Sequence, residues 1–278
     1  MPDRRNNCSD GSHLVRVTSD TPNSLGRLFS NMLTATPVAR SKTPAISSYN
    51  GQMPQPMFSE IRLLIFDLDG TLIDSKTDLV LSVNAMREHM GLTRLEPEVV
   101  VSYVGQGVTI LIRRALGDGA SDEEVTRARA IFLDDYRCHL LDNTVPYPGV
   151  CEALETLRDR TMAVLTNKDV DLSREILIGL GLRPYFSAIY GDRSFPQRKP
   201  DPAGVIKLMQ DAGTSAWQTM VVGDSDTDVL TGRNAGVWTC GVTYGFGAQT
   251  LEVVPPDVLL GDLRELADLV NGRVRGTV

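Results

Sequence analysis

Short apolar runs alternate with segments of helical periodicity along most of the chain. The apolar runs are too brief for helices and are typical of strands covered on both faces. They fall at residues 63–66, 162–165, 220–222 and 237–242 and around Ile189. Helical patterns lie between several of these runs, at residues 150–159, 172–180 and 203–212. Strands and helices that alternate in this way predict a parallel sheet with right-handed crossovers.

One stretch breaks the alternation, because residues 75–145 are helical in character almost throughout. Its helix starts and stops are marked by two pairs with capping-box spacing, Ser75 with Asp78 and Ser121 with Glu124, and by Gly91 and Gly117. We call residues 75–145 the helical insert. The predicted fold is α/β, a Rossmann-like parallel sheet core formed by residues 59–74 and 146–278, with an inserted all-helical cap domain.

Residues 1–58 differ from the rest of the chain in composition. They are rich in Ser, Thr, Asn and Pro and show no sustained periodicity, which predicts a disordered tail or an extended start. The basic, acid-poor composition faintly resembles a transit peptide, while Met57, just before the first strand, makes an over-long gene model an equally good explanation. Neither interpretation gives the tail a catalytic part.

Charge and composition narrow the possible partners and location. Residues 1–57 carry a net charge of +3, so the remaining chain carries −10, given the total of −7. Such a surface disfavours nucleic acid and anionic membranes. The four cysteines (Cys8, Cys138, Cys151 and Cys240) have no zinc-site spacing, and no apolar run is long enough to cross a bilayer. We therefore expect a cytoplasmic protein, monomeric or homodimeric.

Acidic side chains follow the first apolar run directly, in the sequence Asp67-Leu68-Asp69-Gly70-Thr71. In a parallel α/β sheet the carboxyl ends of the strands form the ligand crevice, so both carboxylates should point there. Two acids separated by one residue can serve as a nucleophile and an acid/base, while Gly70 permits a tight turn.

Three further motifs fall at other predicted strand ends or helix starts. Thr166-Asn167-Lys168 follows the run at 162–165, and Lys199-Pro200-Asp201-Pro202 opens a helix. A hydroxyl and an ammonium group suit phosphoryl oxygens. Asp224 and Asp228 lie in Gly223-Asp224-Ser225-Asp226-Thr227-Asp228, and carboxylates there, with one from Asp67, suit the hard oxygen shell of Mg²⁺.

These four motifs, in this order, resemble the haloacid dehalogenase superfamily over residues 61 to about 245. The helical insert is similar to the C1 cap of that superfamily. The most similar branch is that of the phosphoglycolate phosphatases. This similarity is carried by the cap sequences Val104-Gly105-Gln106-Gly107 and Arg113-Arg114-Ala115-Leu116, with Val145-Pro146-Tyr147-Pro148-Gly149 and Thr166-Asn167-Lys168.

The resemblance implies a role for each motif residue. It makes Asp67 the nucleophile and a magnesium ligand, and Asp69 the acid/base whose backbone carbonyl also reaches the metal. It implies that Thr166, Asn167, Lys199 and the Gly70 turn bind the phosphoryl group. It also implies that Asp224 binds Mg²⁺ and that Asp228 binds the metal or orients its water. In the insert, Gly105, Gly107 and Arg113 are candidates for substrate contact, although helix breaking and an exposed helix arginine are the ordinary interpretations.

The implied function is a magnesium-dependent phosphomonoester hydrolase that forms an aspartyl phosphate and acts on a small phosphorylated metabolite. 2-Phosphoglycolate is the leading candidate, with sugar phosphates, amino-sugar phosphates, nucleotides and pyrophosphate as alternatives. A β-phosphoglucomutase-like phosphomutase and a phosphorylation-dependent binding module remain open. Asp69 disfavours a dehalogenase, and it also argues against a long-lived phosphoaspartate.

Overall fold

The computed structural model describes residues 58–273 of the protein. Strands within this range, in chain order, are β1 (Leu63–Phe66), β2 (Ile73–Asp74), β3 (Val145–Pro146), β4 (Thr161–Asp169), β5 (Ala188–Asp192), β6 (Thr219–Gly223), β7 (Trp238–Val242) and β8 (Val258–Leu260). Six of them form a parallel sheet in the order β5-β4-β1-β6-β7-β8. The predicted α/β fold with a parallel sheet is therefore confirmed.

Helices within the described range, in chain order, are α1 (Lys76–His89), α2 (Pro97–Val101), α3 (Val108–Leu116), α4 (Asp122–Cys138), α5 (Val150–Thr156), α6 (Val170–Gly179), α7 (Ala203–Ala212), α8 (Asp226–Ala235) and α9 (Leu263–Val270). The first four lie between β2 and β3, which pair antiparallel with each other. The chain thus leaves the core after β1 and returns beside the point where it left.

The two faces of the sheet bury different side chains because successive residues of a strand point to opposite sides. On β1, Leu63 and Ile65 pack with Val205 and Leu208 of α7 in a smaller cluster. Leu64 and Phe66 belong to the larger cluster, which continues into apolar residues of all four insert helices. The insert is therefore packed against one side of the core by shared apolar burial.

Several boundaries differ from the sequence-based expectation. The strand expected at 162–165 continues to Asp169, because its later residues still pair with β5 beyond an irregularity in register. The helix expected to reach residue 159 ends at Thr156. Phe58, assigned to the tail, is buried and packs edge-on against Trp238 at 5.3 Å between ring centroids. Other tail residues, 1–57, lie outside the described residues.

One of the two expected capping boxes is wrong. Ser121 and Glu124 form theirs at the start of α4. Ser75 precedes α1 without capping it, and its hydroxyl donates instead to Asp69 at 2.6 Å. Asp78 accepts hydrogen bonds from Asn143 and Thr144 at 2.7–3.0 Å. This carboxylate therefore joins the start of the insert to its end.

The β2–β3 pair, β8 and α9 were not expected from the sequence. β2 and β3 have two residues each, too few to show a period, and β8 has three. Within residues 58–273, no helix has the length and apolar character needed to span a bilayer.

Candidate active site

The predicted residues lie at the edge of the sheet where the strands end. Most of them belong to strand ends or follow them directly, and Lys199 lies in the loop between β5 and α7. Asp67 follows β1 directly, and its backbone N–H donates to Val222 of β6 at 2.9 Å. The side chains of the motifs then line one cavity of about 230 Å³ between the sheet edge and the insert. Among its lining residues are Asp67, Asp69, Thr166, Asn167, Lys168, Lys199 and Asp224.

Three carboxylates at this edge are close enough to share a cation. Asp67, Asp224 and Asp228 each offer an oxygen, and these atoms lie within 4.8 Å of one another. Asp224 and Asp228 are 3% and 2% exposed. Burying several like charges is unfavourable unless opposite charge compensates them. An all-oxygen donor set with excess negative charge fits a small hard divalent cation.

Glycines allow this close approach of carboxylates to the backbone. Gly70 has a φ of +85°, and a Cβ there would collide with the carboxylate of Asp224. A Cβ at Gly245 would meet the same side chain, and one at Gly223 would meet Asp228. Gly70 itself lies outside the cavity lining, and its N–H donates to Ile73 at 3.0 Å. Gly70 therefore forms a turn beside Asp224, and its assignment to the phosphoryl group stays a prediction.

Lys199 lies between two of the three carboxylates. Its ammonium is 2.8 Å from Asp67 and 2.6 Å from Asp228. Asp228 also accepts from the backbone N–H and hydroxyl of Ser225 at 3.2 and 2.8 Å, which begins α8 with a capping box. The nucleophile candidate thus contacts a buried cation that comes from the loop between β5 and α7.

Burial strongly raises the pKa of two of the three carboxylates. It raises the pKa of Asp67 to about 6, with the nearby Lys199 charge acting in the opposite direction. Burial, together with the Asp228 charge, raises the pKa of Asp224 to about 8. For Lys199, burial alone would lower the pKa, but Asp228 and Asp67 outweigh it and raise the pKa. Perturbed groups of this kind cluster at functional sites.

Asp69 is held separately from the three carboxylates. Lys168 donates to both of its oxygens at 3.1 Å, and Ser75 donates to one of them at 2.6 Å. The side chain of Asp69 therefore faces the cavity beside Asp67 while its orientation is fixed by two donors.

The structure shows Asn167 joined to neighbouring backbone groups. Its amide nitrogen donates to Gly105 of the insert at 3.0 Å and to the Lys199 carbonyl at 3.2 Å. Its amide oxygen accepts from the Lys199 N–H at 3.0 Å. Both amide hydrogens are thus already used, and the side chain joins the sheet edge to the insert. Thr166, by contrast, is 5% exposed, lines the cavity and accepts from the Lys168 N–H at 3.2 Å.

The insert supplies a mostly apolar wall with one charged side chain among its described lining residues. That residue is Arg114, which is exposed on α3 and donates to Gln106 at 2.8 Å. Arg113, the arginine singled out from the sequence, pairs with Asp122 at 2.6 Å and lies outside the cavity. The arginine that lines the cavity is therefore Arg114, the sequence neighbour of the candidate Arg113.

Sequence reasoning missed Lys168 and Tyr136 as site residues. The motif Thr166-Asn167-Lys168 gives Lys168 no role of its own, and no sequence motif marks Tyr136 on α4. Their contacts join positions 32 and 99 residues apart, Lys168 to Tyr136 and Lys168 to Asp69. A lysine next to the Thr166 motif was the available signal, but its partners depend on how the insert packs on the sheet.

Comparisons with known proteins agree with the fold and the motifs. The sequence model of the family described as Haloacid dehalogenase-like hydrolase matches residues 64–242. The chain is 39% identical over 218 residues to a phosphoglycolate phosphatase of Chromobacterium violaceum, covering 76% of this chain and 97% of that protein. It is also 39% identical over 214 residues to a phosphoglycolate phosphatase of Pseudomonas putida, covering 74% and 78%.

A solved structure is similar over the same region. The crystal structure of a protein described as a predicted phosphoglycolate phosphatase of Haemophilus somnus superposes with a TM-score of 0.72 at 30% identity. The match covers 76% of this chain and 98% of that one.

Proposed function

The chain belongs to the haloacid dehalogenase-like hydrolase family, and from that premise we propose that it is a Mg²⁺-dependent phosphomonoester hydrolase acting through an aspartyl phosphate. The observation that carries the proposal is the pairing of Asp67, held by Lys199, with the separately oriented Asp69 in one cavity. The two acids meet the two needs of phosphoryl transfer, a nucleophile and a proton carrier.

In the proposed reaction Asp67 attacks phosphorus, and the bond from phosphorus to the leaving oxygen breaks. Asp69 donates a proton to that oxygen, so the alcohol leaves neutral. Asp69 then takes a proton from water as the water attacks phosphorus, which releases phosphate and restores Asp67. Lys199 and the Thr166 hydroxyl supply positive charge and a hydrogen-bond donor for the phosphoryl oxygens.

The residues at the sheet edge fit a magnesium ion. Asp67, Asp224 and Asp228 would hold it, with the Asp69 carbonyl as a further oxygen. When ionised, Asp67, Asp224 and Asp228 carry three negative charges against the one positive charge of Lys199, so two excess negative charges remain for a divalent cation to balance. Bound Mg²⁺ supplies charge neutralisation that lets an anionic nucleophile approach an anionic phosphoryl group.

For the substrate, we propose 2-phosphoglycolate, hydrolysed to glycolate and phosphate. Support comes from relatives named phosphoglycolate phosphatase, aligned at 37–39% identity over about three quarters of this chain. The small cavity of about 230 Å³ and the cationic Arg114 on its insert side also suit a short ester with a second negative charge. We further propose that residues 75–145 act as a cap over a core of 59–74 and 146–278.

The test is a phosphate-release assay of the full chain with Mg²⁺ or with EDTA. The panel contains 2-phosphoglycolate, glycerol phosphate, glucose 6-phosphate, an amino-sugar phosphate, a nucleotide and pyrophosphate. We expect the highest kcat/KM for 2-phosphoglycolate and loss of release in EDTA. Preference for another ester would replace the substrate, and release that persists unchanged in EDTA would contradict the metal requirement. Isomerised sugar phosphate without free phosphate would indicate a phosphomutase.

A further inference from the structure

Lys168 has an unusual set of partners for a buried ammonium. Its side chain is 7% exposed. Two of its donor contacts go to the oxygens of Asp69, and a further one goes to the hydroxyl of Tyr136 at 2.7 Å. The ammonium has three hydrogens and three acceptor atoms within hydrogen-bond distance, so each hydrogen has an acceptor.

The three residues come from three separate parts of the fold. Asp69 follows β1, Lys168 lies in the last part of β4, and Tyr136 is on α4 of the insert. The next residue back on β4, Asn167, donates to Gly105, also in the insert. Adjacent positions of one strand therefore contact the insert at two points 31 residues apart, and only Lys168 leads on to the acid/base candidate.

Tyr136 is buried within the insert. It is 1% exposed and stacks on Phe132 at 5.4 Å between centroids, with the Lys168 ammonium 4.6 Å from its own ring centroid. A buried ammonium without hydrogen-bond partners is strongly unfavourable. The carboxylate of Asp69 and the hydroxyl of Tyr136 therefore fix the position of the Lys168 ammonium together. The position of the hydroxyl is thus transmitted to both oxygens of Asp69.

We propose that Tyr136 is a positioning residue for the acid/base step. With the insert packed on the sheet edge, the Tyr136 hydroxyl fixes Lys168, and Lys168 aligns Asp69 with the leaving oxygen. The inference rests on the proposed function, since it deepens the role of Asp69 there. It gives the insert a part in proton transfer in addition to enclosing the substrate.

The test compares two leaving groups in the full chain with Mg²⁺. Proton donation matters when an alkoxide must leave, as from 2-phosphoglycolate or glycerol phosphate, and matters little for acetyl phosphate, whose acetate leaves without a proton. Tyr136→Phe removes only the hydroxyl and keeps the ring. We expect kcat/KM to fall about tenfold for the alkyl esters and less than about twofold for acetyl phosphate. Tyr103→Phe, elsewhere in the insert and outside the cavity lining, is the matched control and should change neither value.

Distinct outcomes separate the inference from the proposed function. Wild-type protein that releases phosphate from none of these compounds would refute the function and the inference with it. An active wild type whose Tyr136→Phe variant loses kcat/KM equally for alkyl and acyl phosphates, or loses none, would overturn the inference alone. Lys168→Gln should show the same selective loss as Tyr136→Phe. If both variants fail to fold, as judged by circular dichroism and thermal unfolding, the contact is structural and the proposal is wrong.

Discussion

The sheet edge and the helical insert contribute different chemistry to the same cavity. The edge supplies buried charges whose positions are set by strand ends and by the loop between β5 and α7, with Asp67 and Lys199 2.8 Å apart. The insert supplies apolar side chains such as Leu111 and Phe132, together with Arg114 and the Tyr136 hydroxyl. We therefore expect the edge to supply the reacting groups, and the insert to position one of them through Tyr136 and to select the substrate.

The largest expected effect comes from removing the nucleophile at the edge. Asp67→Asn keeps the shape of the side chain but cannot form an aspartyl phosphate, so turnover should fall at least about a thousandfold. Phosphate release and acid-quenched mass spectrometry measure it. Asp134→Asn, an exposed acid on α4, is the control and should retain full activity. Residual turnover above one tenth of wild type would remove Asp67 from the reaction.

A second variant divides the two acids of the edge. Asp69→Asn should leave folding intact and allow slow phosphorylation of Asp67, but should lower phosphate release about a hundredfold or more, because water is no longer activated. Single-turnover experiments with intact-protein mass spectrometry would detect accumulated phosphoprotein. Normal turnover in this variant would refute the acid/base role.

The difference between edge and insert also explains what could be predicted from the sequence. Residues at the edge follow short buried strands, so a local motif is enough to place Asp67, Asp69 and Asp224 together. The insert offers no such rule, because which helix face meets the cavity depends on packing. Arg113 and Arg114 are adjacent, and the sequence around them does not distinguish them, yet of the two only Arg114 lines the cavity.

The same limit applies to side chains that join the two regions. The family resemblance assigns Asn167 to the phosphoryl group, whereas in the structure its carboxamide joins backbone groups. Its partners, Gly105 and Lys199, lie 62 and 32 residues away in sequence. Such contacts follow from tertiary packing, which motif spacing does not encode.

An intermediate effect should come from the insert and should depend on the substrate. Arg114→Met keeps much of the apolar stem and removes the charge, so KM for 2-phosphoglycolate should rise about tenfold with a smaller change in kcat. For an alkyl phosphate whose alkyl group carries no charge, the change should be about twofold or less. Arg113→Met is the matched control, since this exposed arginine pairs with Asp122 outside the cavity. Equal effects of the two variants would mean that the insert does not select substrate through Arg114.

The smallest effect concerns the stability of metal-free protein and tests whether the edge is electrostatically unbalanced without a cation. Burial raises the pKa of Asp67 to about 6 and of Asp224 to about 8, whereas aspartate in an unfolded chain titrates near 4. The folded chain therefore binds more protons than the unfolded chain between about pH 4 and pH 8, and its stability in EDTA should fall as pH rises through this window. Urea unfolding measures this change in stability, with Asp224→Asn expected to flatten the slope and Mg²⁺ to restore stability at pH 8.

His139, whose pKa is raised by Asp142, acts in the same direction from an exposed position, so His139→Gln serves as the control. Stability that rises with pH in EDTA would contradict an excess of negative charge at the metal-free edge.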